Sequence, residues 1–597
     1  MRRGIATVSL SGRLEDKLAA AAAAGFDGIE VFDNDLIASA LSPREVAARC
    51  ADLGLAIDLF QPVRDVAGID PATYDAALHR FRTKLGVMAG LGTSTVLVCS
   101  TVLPGAPADP DLLASQLHGL GVLAAEHGVT IAFEALAWGR HVHRVGQSWD
   151  AVVAADHPAV TLAVDTFHML ARGDDGSALA GIPGDRIGFL QVADAPLLDM
   201  DVLEWSRHFR CFPGQGTLDV TGVVAATLAA GYDGPLSLEV FSDVVRETDP
   251  VETARDAMRS LLFLEDQVSG ELATEPAANM VAAAPPPAPR VDAAFLEMAS
   301  ASPIVPNLLT GLGFVIAGRH RSKPVTWWRH GDAHVVVNES GSQPAGTCAL
   351  GLVAPPVEAV GARAKALLWP EVDRTRGTGE ALLPGITSPS GLHVFVSAAA
   401  GEDDWQHDFE PTGAAPDGWR GIDHVGIGVP ATQLNEEIGF LRTVLDLTPG
   451  AVEEFMEPQG RLRSRALRPA EGDLRVVLNV EDVRAGSAPR LGVTQVAFGC
   501  DDVAAGVRAL RSNGVPMMRV PDNYYVDLDA RFALAPELLA SLREHGLLYD
   551  RDAHGGELLH AYTAWLETGF YVELLERRGG YDGYGSANTH VRLAAQG

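Results

Sequence analysis

Residues 95–135 read TVLVCSTVLPGAPADPDLLASQLHGLGVLAAEHGVTIAFEA, and this stretch decides the fold of the first half of the chain. A short apolar run, TVLVCS, is followed by an amphipathic segment at 109–128 and then by a second apolar run, TIAFEA. Strand, helix and strand in this order predict a parallel βαβ unit.

The same alternation continues on both sides of this unit. Eight βαβ units in roughly 250 residues predict a closed (β/α)8 TIM barrel, an α/β fold. A doubly wound open sheet is the alternative, but the first strand-to-helix turn, SLSGRLED, lacks the GxGxxG fingerprint. The eight strand-like runs are GIATVSL, FDGIEVF, LAIDLF, TVLVCS, TIAFEA, TLAVDT, IGFLQV and PLSLEV.

The composition indicates a globular protein of more than one domain. The chain has 597 residues, 47% hydrophobic and 21% charged, which exceeds the size of a single core. A net charge of −31 disfavours nucleic acid and membrane surfaces as partners. Five scattered cysteines, with no CxxC pair, are typical of a reducing compartment. We therefore expect a cytoplasmic protein with a small-molecule substrate, able to form a homo-oligomer.

A change of composition marks the end of the barrel. Residues 269–290, SGELATEPAANMVAAAPPPAPR, are rich in Ala and Pro and predict a linker between domains at 1–268 and 291–597. Beyond the linker, GDAHVVVN (331–338) matches GDLRVVLN (472–479), and GLHVFV (391–396) matches GFYVEL (569–574). These two pairs predict an α+β domain of duplicated modules, at about 293–400 and 418–597.

Four consecutive barrel strands end in an oxygen donor. Reactive groups of such barrels lie at the carboxyl ends of the strands, where the βα loops converge. Carboxylates crowded there would repel one another unless a cation lay between them. An all-oxygen set predicts Mg²⁺, Mn²⁺ or Co²⁺ as the ion, although any one of these residues alone could be a helix cap or an ion-pair partner. The four are Glu134, Asp165, Gln191 and Glu239.

Further polar residues follow the same strands. His168, just past the sixth strand, is predicted as the general acid or base. Arg64 and Arg210 suit a substrate that carries a carboxylate, because a guanidinium binds this group with two parallel hydrogen bonds. Glu30 and His141 are weaker candidates.

The segments FQPVRD, AFEALAWGRH, VDTFHMLARG, FLQVADAP, SRHFRCFPGQG and LSLEVF resemble bacterial 3-dehydroshikimate dehydratases of the xylose isomerase-like barrel superfamily. The resemblance covers residues 1–265. It implies that the four strand-end residues bind the metal, and that 3-dehydroshikimate is dehydrated to protocatechuate through a metal-stabilised enediolate, in quinate and shikimate catabolism.

The same resemblance implies roles for individual side chains. Catalytic roles fall to His168, Glu134 and Glu239, and substrate binding falls to Arg64, Ser206, Arg210 and His141. Sugar or hydroxypyruvate isomerases and epimerases share the metal ligands, so they remain the alternative for the barrel.

The segments LGFVIAGRHRSKPVTWWRHGD, GIDHVGIGV and FYVELLERRGGYDGYGSAN resemble 4-hydroxyphenylpyruvate dioxygenases of the vicinal-oxygen-chelate superfamily, over about residues 293–597. The resemblance implies Fe²⁺ bound by His424, Glu573 and a second histidine, but Gln495 stands at that second position. An amide oxygen suits Mg²⁺ better than Fe²⁺ in such a second metal site.

Three interpretations of this half stay open. It is a structural or oligomerising domain, a non-oxidative metal- or ligand-binding domain, or a working dioxygenase that makes the chain bifunctional. A ligand sensor that regulates the barrel belongs to the second interpretation.

Overall fold

The computed structural model describes residues 1–272, 276–300, 302–340, 345–413, 416–457, 460–483 and 488–596. Residues 273–275 of the predicted linker lie outside the described residues. The chain divides into two compact units, Met1–Ala284 and Pro285–Gly597. In the described part of the chain, none of the helices is both long and apolar enough to cross a membrane.

The first unit is a closed barrel of eight parallel strands in sequential order. Each of the eight strand-like runs contributes one strand, so the predicted barrel is confirmed. The strands are β1 (Arg3–Ala6), β2 (Gly28–Phe32), β3 (Ala56–Val63), β4 (Thr95–Cys99), β5 (Thr130–Glu134), β6 (Val160–Asp165), β7 (Ile187–Val192) and β8 (Leu236–Leu238).

Helices pack around this barrel, and several begin where a short polar residue precedes a proline. Asp70, Asp109 and Asp249 each accept a hydrogen bond from a first-turn backbone N–H of the helix that follows. The helices are α1 (Leu14–Ala24), α2 (Asp33–Ala38), α3 (Pro43–Asp52), α4 (Pro71–Leu91), α5 (Pro110–Glu126), α6 (Val145–Ala155), α7 (Thr166–Leu170), α8 (Val202–His208), α9 (Val220–Ala229), α10 (Asp243–Glu247) and α11 (Pro250–Glu271).

The period-two alternation of the strands places the polar strand ends inside the barrel. Ala132, Ala163 and Phe189 belong to a buried apolar layer in the barrel interior, together with Leu59 and Leu97. Residues two positions further along a strand point to the same side. Positions 134, 165 and 191 therefore form the next layer towards the rim, directly above this apolar layer.

The segment of Ala/Pro-rich composition begins as part of the barrel unit. Residues 269–271 complete α11, and Pro276–Met280 form a 3₁₀ helix. The backbone N–H groups of Ala282 and Ala284 donate to Glu265 and Asp266 of α11, at 2.7 and 2.9 Å. Composition alone does not reveal this docking, because the acceptors lie outside the segment.

The second unit contains two eight-stranded sheets. Their strand orders are β14-β15-β13-β9-β12-β11-β10-β16 and β18-β19-β20-β17-β21-β24-β23-β22. Read in reverse, the second order matches the first over seven strands, and the edge strands β16 and β22 are additions. The first sheet consists of β9 (Asp292–Ala299), β10 (Val315–His320), β11 (Val325–His330), β12 (Ala333–Asn338), β13 (Gly346–Val353), β14 (Gly385–Thr387), β15 (His393–Ser397) and β16 (Phe409–Pro411). The second consists of β17 (Trp419–Gly428), β18 (Thr448–Glu457), β19 (Gly460–Arg468), β20 (Val476–Val483), β21 (Gly492–Cys500), β22 (Leu548–Arg551), β23 (Glu557–Tyr562) and β24 (Tyr571–Arg578).

The helices of this unit are α12 (Ile304–Gly311), α13 (Val357–Ala366), α14 (Leu434–Leu445), α15 (Val503–Ser512), α16 (Asp522–Phe532), α17 (Pro536–His545) and α18 (Thr589–Gln596). The two repeated sequences occupy equivalent strands. β12 pairs in parallel with β9, and β20 pairs in parallel with β17. In the same way, β15 pairs in parallel with β13, and β24 pairs in parallel with β21. The predicted duplication of an α+β module is confirmed.

One buried carboxyl in α14 makes the stability of the second unit depend on pH. Burial raises the pKa of Glu437 to about 7, although Ser390 N–H donates to its side chain at 2.8 Å. The folded state therefore favours the protonated acid. Its contribution to stability is complete below the ordinary pKa of 4.5 and is lost as the pH rises through 7.

We predict that Glu437→Gln raises the thermal midpoint of the full chain by a few degrees at pH 8.5, and by almost nothing at pH 5. The pKa difference corresponds to at most about 3.5 kcal/mol, at ~1.4 kcal/mol per unit. Differential scanning calorimetry checks this, with the exposed Glu358→Gln as control. An equal shift at both pH values would contradict the assignment.

Candidate active site

The structure brings the four strand-end residues together at one end of the barrel. Glu134 ends β5, Asp165 ends β6, Gln191 is the penultimate residue of β7, and Glu239 directly follows β8. All four side chains are buried, with at most 4% of the residue exposed. Among the described residues, Glu134, Asp165 and His168 offer potential metal-binding atoms within 4.8 Å of one another.

Burial of these carboxylates changes their acidity. Burial, reinforced by the charges of Asp165 and Glu239, raises the pKa of Glu134 to about 8. Burial also raises the pKa of Glu239 to about 6, against the opposing charge of Arg210. Asp165 differs, because Arg210 and His168 outweigh burial and hold its pKa below the ordinary value. The three groups repel one another, and a positive charge between them would relieve this repulsion.

Two buried oxygens of this cluster lack a hydrogen-bond partner in the part of the chain that the structure describes: Oε1 of Glu134 and Oε1 of Gln191. Unsatisfied buried acceptors are costly, and here both belong to the predicted ligands. A hard divalent cation accepts electron pairs from such oxygens. The donor set and the unsatisfied atoms therefore fit a divalent metal ion.

Arg210 is committed to the protein rather than free to bind a substrate. Its Nη1 donates to Asp165 at 3.0 Å and to Glu239 at 3.1 Å, and its Nη2 donates to Oγ of Ser206 at 2.8 Å. The guanidinium also lies 4.5 Å from the ring centroid of Phe167. The structure brings Arg210 and Ser206 to the cluster, and this geometry favours a role in organising the carboxylates over the predicted substrate binding.

His168 faces the cluster between two N–H donors. The backbone N–H of Ala137 lies 3.1 Å from its Nδ1, and Nη2 of Arg210 lies 3.2 Å from its Nε2. Burial lowers the pKa of the ring to about 3, so the imidazole is neutral and carries a single proton. Its Nε2 also lies 3.7 Å from Oε1 of Glu134 and 3.9 Å from Oδ2 of Asp165. The role of His168 as general acid or base stays a prediction.

A cavity of about 320 Å³ lies above the cluster, within the range of small-molecule sites. It is lined by Arg64, whose Nε has no hydrogen-bond partner among the described residues, and by Trp138, whose ring packs edge-to-face with that of His168 at 5.1 Å between centroids. His141 does not line this cavity. It lines a different one, and its Nε2 lies 2.9 Å from the carbonyl oxygen of Ala106.

The loop after β7, which carries Ser206 and Arg210, is held by one buried carboxylate. Asp194 accepts hydrogen bonds from four backbone N–H groups of this loop, those of Ala195, Gly214, Gly216 and Leu218, at 2.7 to 3.1 Å. A Cβ at Gly216 would lie 2.2 Å from Asp194, so glycine is required there. The FPGQG motif thus folds around Asp194.

The second unit also gathers its predicted residues. His424, Gln495 and Glu573 lie on the neighbouring strands β17, β21 and β24. These three side chains contact one another directly. Nε2 of Gln495 lies 2.5 Å from Oε2 of Glu573 and 2.9 Å from Nε2 of His424. Tyr571 donates to the amide oxygen of Gln495 at 2.8 Å, which fixes this orientation.

The other carboxylate oxygen of Glu573 is satisfied by His560, a residue that sequence reasoning missed. Asn588 donates to Nε2 of His560 at 3.0 Å, so the proton of the ring is on Nδ1 and is donated to Glu573 at 2.6 Å. Burial opposes ionisation, but His424 and His560 outweigh it and lower the pKa of Glu573 to about 2. The cluster is a closed hydrogen-bond network and fits a metal less well than the barrel site.

Two family models match the two halves. Residues 18–265 match the xylose isomerase-like TIM barrel, and residues 421–537 match the glyoxalase/bleomycin resistance protein/dioxygenase superfamily. A 3-dehydroshikimate dehydratase of Pseudomonas putida is 44% identical over 100% of this chain and 98% of its own length. That of Pseudomonas aeruginosa is 42% identical with the same coverage.

The chain belongs to the family of these 3-dehydroshikimate dehydratases. A solved structure described as a xylose isomerase-like TIM barrel/4-hydroxyphenylpyruvate dioxygenase fusion protein is 42% identical to it. The superposition has a TM-score of 0.91 and covers 100% of this chain and 99% of that one. The two resemblances that the sequence suggested, including the order of the two domains in one chain, are confirmed.

One member of the dehydratase site was overlooked at the end of β4. Cys99 donates to Oε2 of Glu134 at 3.2 Å. Burial raises its pKa well above the ordinary value, so the thiol stays protonated. Its position as the last residue of a barrel strand was the available signal.

We predict that Asp194→Asn loosens the loop that carries Arg210 and lowers kcat/KM at least tenfold. An amide nitrogen would face two backbone N–H donors, at a cost of about 1–3 kcal/mol each. Limited trypsin digestion followed by mass spectrometry should detect faster cleavage after Arg207. The control is Asp201→Asn at the exposed N-cap of α8, and equal cleavage of both variants would contradict this role.

Proposed function

We propose that this chain dehydrates 3-dehydroshikimate to protocatechuate in its barrel, with a divalent metal ion bound by Glu134, Asp165, Gln191 and Glu239. The observation that carries the proposal is a cluster of three buried carboxylates at one end of the barrel, two of which, Glu134 and Glu239, line a cavity. Beside this cluster, Oε1 of Gln191 has no hydrogen-bond partner among the described residues. The full-length similarity to dehydratases supports the choice of reaction. When bound, the ion would act as a Lewis acid on the ketone of the substrate and acidify the neighbouring C–H.

Arg64 is the residue we assign to the carboxylate of the substrate. It lines the cavity, and among the described residues its Nε has no hydrogen-bond partner, whereas the N–H groups of Arg210 are engaged by Asp165, Glu239 and Ser206. Burial opposes the charged form of Arg64, but Cys99, Glu134 and Glu239 outweigh it and raise the pKa, so the guanidinium remains cationic. A guanidinium recognises a planar carboxylate with two parallel hydrogen bonds.

Glu134 is the residue we assign to removal of the C4 proton, through the carboxylate oxygen that does not bind the ion. Among the described residues its Oε1 has no hydrogen-bond partner, and this atom lies 3.7 Å from Nε2 of His168. We assign His168 to a hydrogen bond with the substrate oxygen on which negative charge develops, a role that requires the ring proton on Nε2. Loss of the C5 hydroxyl as water and of one C6 proton then gives the aromatic ring. The balance is one substrate to one protocatechuate and one water.

We predict that Glu134→Ala and Glu239→Ala each abolish protocatechuate formation from 3-dehydroshikimate, followed by its ultraviolet absorbance. EDTA should abolish it in the unmodified protein, and added Mg²⁺, Mn²⁺ or Co²⁺ should restore it. Glu437→Gln, far from the site in sequence and in the other unit, is the control. Full activity of both alanine variants would exclude the metal site, and activity on sugars alone would favour an isomerase or epimerase.

The role of His168 has its own test. Gln can place an N–H near the position of Nε2, whereas Leu cannot. We predict that His168→Gln retains at least tenfold more kcat than His168→Leu, with similar KM for both. If His168 is instead the base, both variants should lose activity equally.

For the second unit we propose a structural role, with the network of His424, Gln495 and Glu573 tying three strands together. Cytoplasmic location and a homo-oligomer remain part of this proposal; the five free cysteines suit a reducing compartment.

We predict that Gln495→Leu lowers the thermal midpoint by several degrees more than Tyr571→Phe. The leucine removes the amide that serves two buried partners, Glu573 and Tyr571. Oxygen uptake with 4-hydroxyphenylpyruvate and Fe²⁺ would contradict the structural role.

A further inference from the structure

Glu30 is a fully buried glutamate in the middle of β2, beside the proposed ligand Gln191. Three side chains donate to it. Gln61 donates to Oε2 at 2.9 Å, Gln191 donates to the same oxygen at 2.6 Å, and Ser237 donates to Oε1. Oε2 therefore accepts from two amides at once, which imposes a donor orientation on Gln61 and Gln191. Burial, reinforced by the charge of Glu239, raises the pKa of Glu30 well above its ordinary value, but a proton on this group would lie on Oε1, towards the hydroxyl of Ser237, so Oε2 stays an acceptor.

The consequence for Gln191 is a fixed amide rotamer. Because its Nε2 points at Glu30, its Oε1 points away, and this oxygen is one of the two unsatisfied oxygens of the cluster. The opposite rotamer would place Oε1 about 2.6 Å from a carboxylate oxygen, which is strongly repulsive. It would also direct an N–H₂ group at the cation. Only the observed rotamer makes Gln191 a ligand.

Gln61 extends the same effect to a second ligand. Its amide donates to Glu30, and its side chain also forms a hydrogen bond with Glu239 that favours the ionised form of that carboxylate. One buried carboxylate thus orients two amides, of which one is a ligand and the other supports a ligand. Outer residues of this kind commonly change metal affinity by about 10–100-fold.

We propose that Glu30 is a positioning residue that selects the oxygen rather than the nitrogen of Gln191 as the atom presented to the metal ion. This inference rests on the proposed function, since it assumes that the four strand-end residues bind the ion. A purely structural Glu30 would stabilise the barrel equally well whichever of positions 30 and 191 carries the acid and whichever carries the amide. The two roles therefore predict different metal affinities when the two side chains are exchanged.

The test is a double-mutant cycle on Mn²⁺ affinity, measured by calorimetric titration of the full chain without substrate. We expect Glu30→Gln to weaken Mn²⁺ binding at least tenfold, because an amide at position 30 can no longer accept from both Gln61 and Gln191. In the double variant Glu30→Gln, Gln191→Glu, the new amide donates to the new carboxylate, which again presents an oxygen to the ion. Gln191→Glu should therefore improve affinity by a larger factor in the Glu30→Gln background than in the unmodified chain.

Controls keep the outcomes separate. Circular dichroism melts verify folding of each variant, and Glu437→Gln serves as a buried glutamate that should leave Mn²⁺ affinity unchanged. Unchanged affinity of Glu30→Gln, or equal factors in both backgrounds, would overturn the positioning role while leaving the metal site intact. Failure of the unmodified chain to bind Mn²⁺ would overturn both this inference and the proposed metal site.

Discussion

The constraint on which the first half of the molecule depends is the burial of three mutually repelling carboxylates, Glu134, Asp165 and Glu239, at one end of a barrel. A buried ion without compensation costs several kcal/mol, so the chain must supply positive charge or the cluster must bind it. Arg210 supplies part, through bonds to Asp165 and Glu239. The pKa of Glu134 nevertheless stays raised to about 8, which shows that the compensation within the protein is incomplete.

The surrounding residues make sense as supports of this cluster. Asp194 folds the loop that delivers Arg210, and the backbone N–H of Ala137 contacts Nδ1 of His168. The second unit differs. There Gln495 donates to Glu573 and accepts from Tyr571, so these buried polar atoms satisfy one another. This contrast supports the proposed metal site in the barrel and the proposed structural role of the second unit.

Much of this organisation could be predicted from the sequence because it follows from short-range periodicity. Alternating apolar runs predict the barrel, and the residues at the strand ends include Glu134, Asp165, Gln191 and Glu239. Side-chain orientation could not be predicted in the same way. The ring nitrogens of His168 face Ala137 and Arg210, 31 and 42 positions away. The rotamer of Gln191 depends on Glu30, 161 positions away. His141 was expected at the site because its loop follows β5, but the path of that loop is not encoded in a motif.

The proposed metal site requires that one divalent ion is bound by an oxygen from each of the four strand ends. Anomalous diffraction from crystals of the full chain loaded with Mn²⁺ would locate such an ion. We expect a peak inside the barrel, roughly 2.0–2.2 Å from one oxygen each of Glu134, Asp165, Gln191 and Glu239, by analogy with hard divalent ions. A loaded crystal with no peak among these four side chains, or with Gln191 turned away from the ion, would contradict the proposed site.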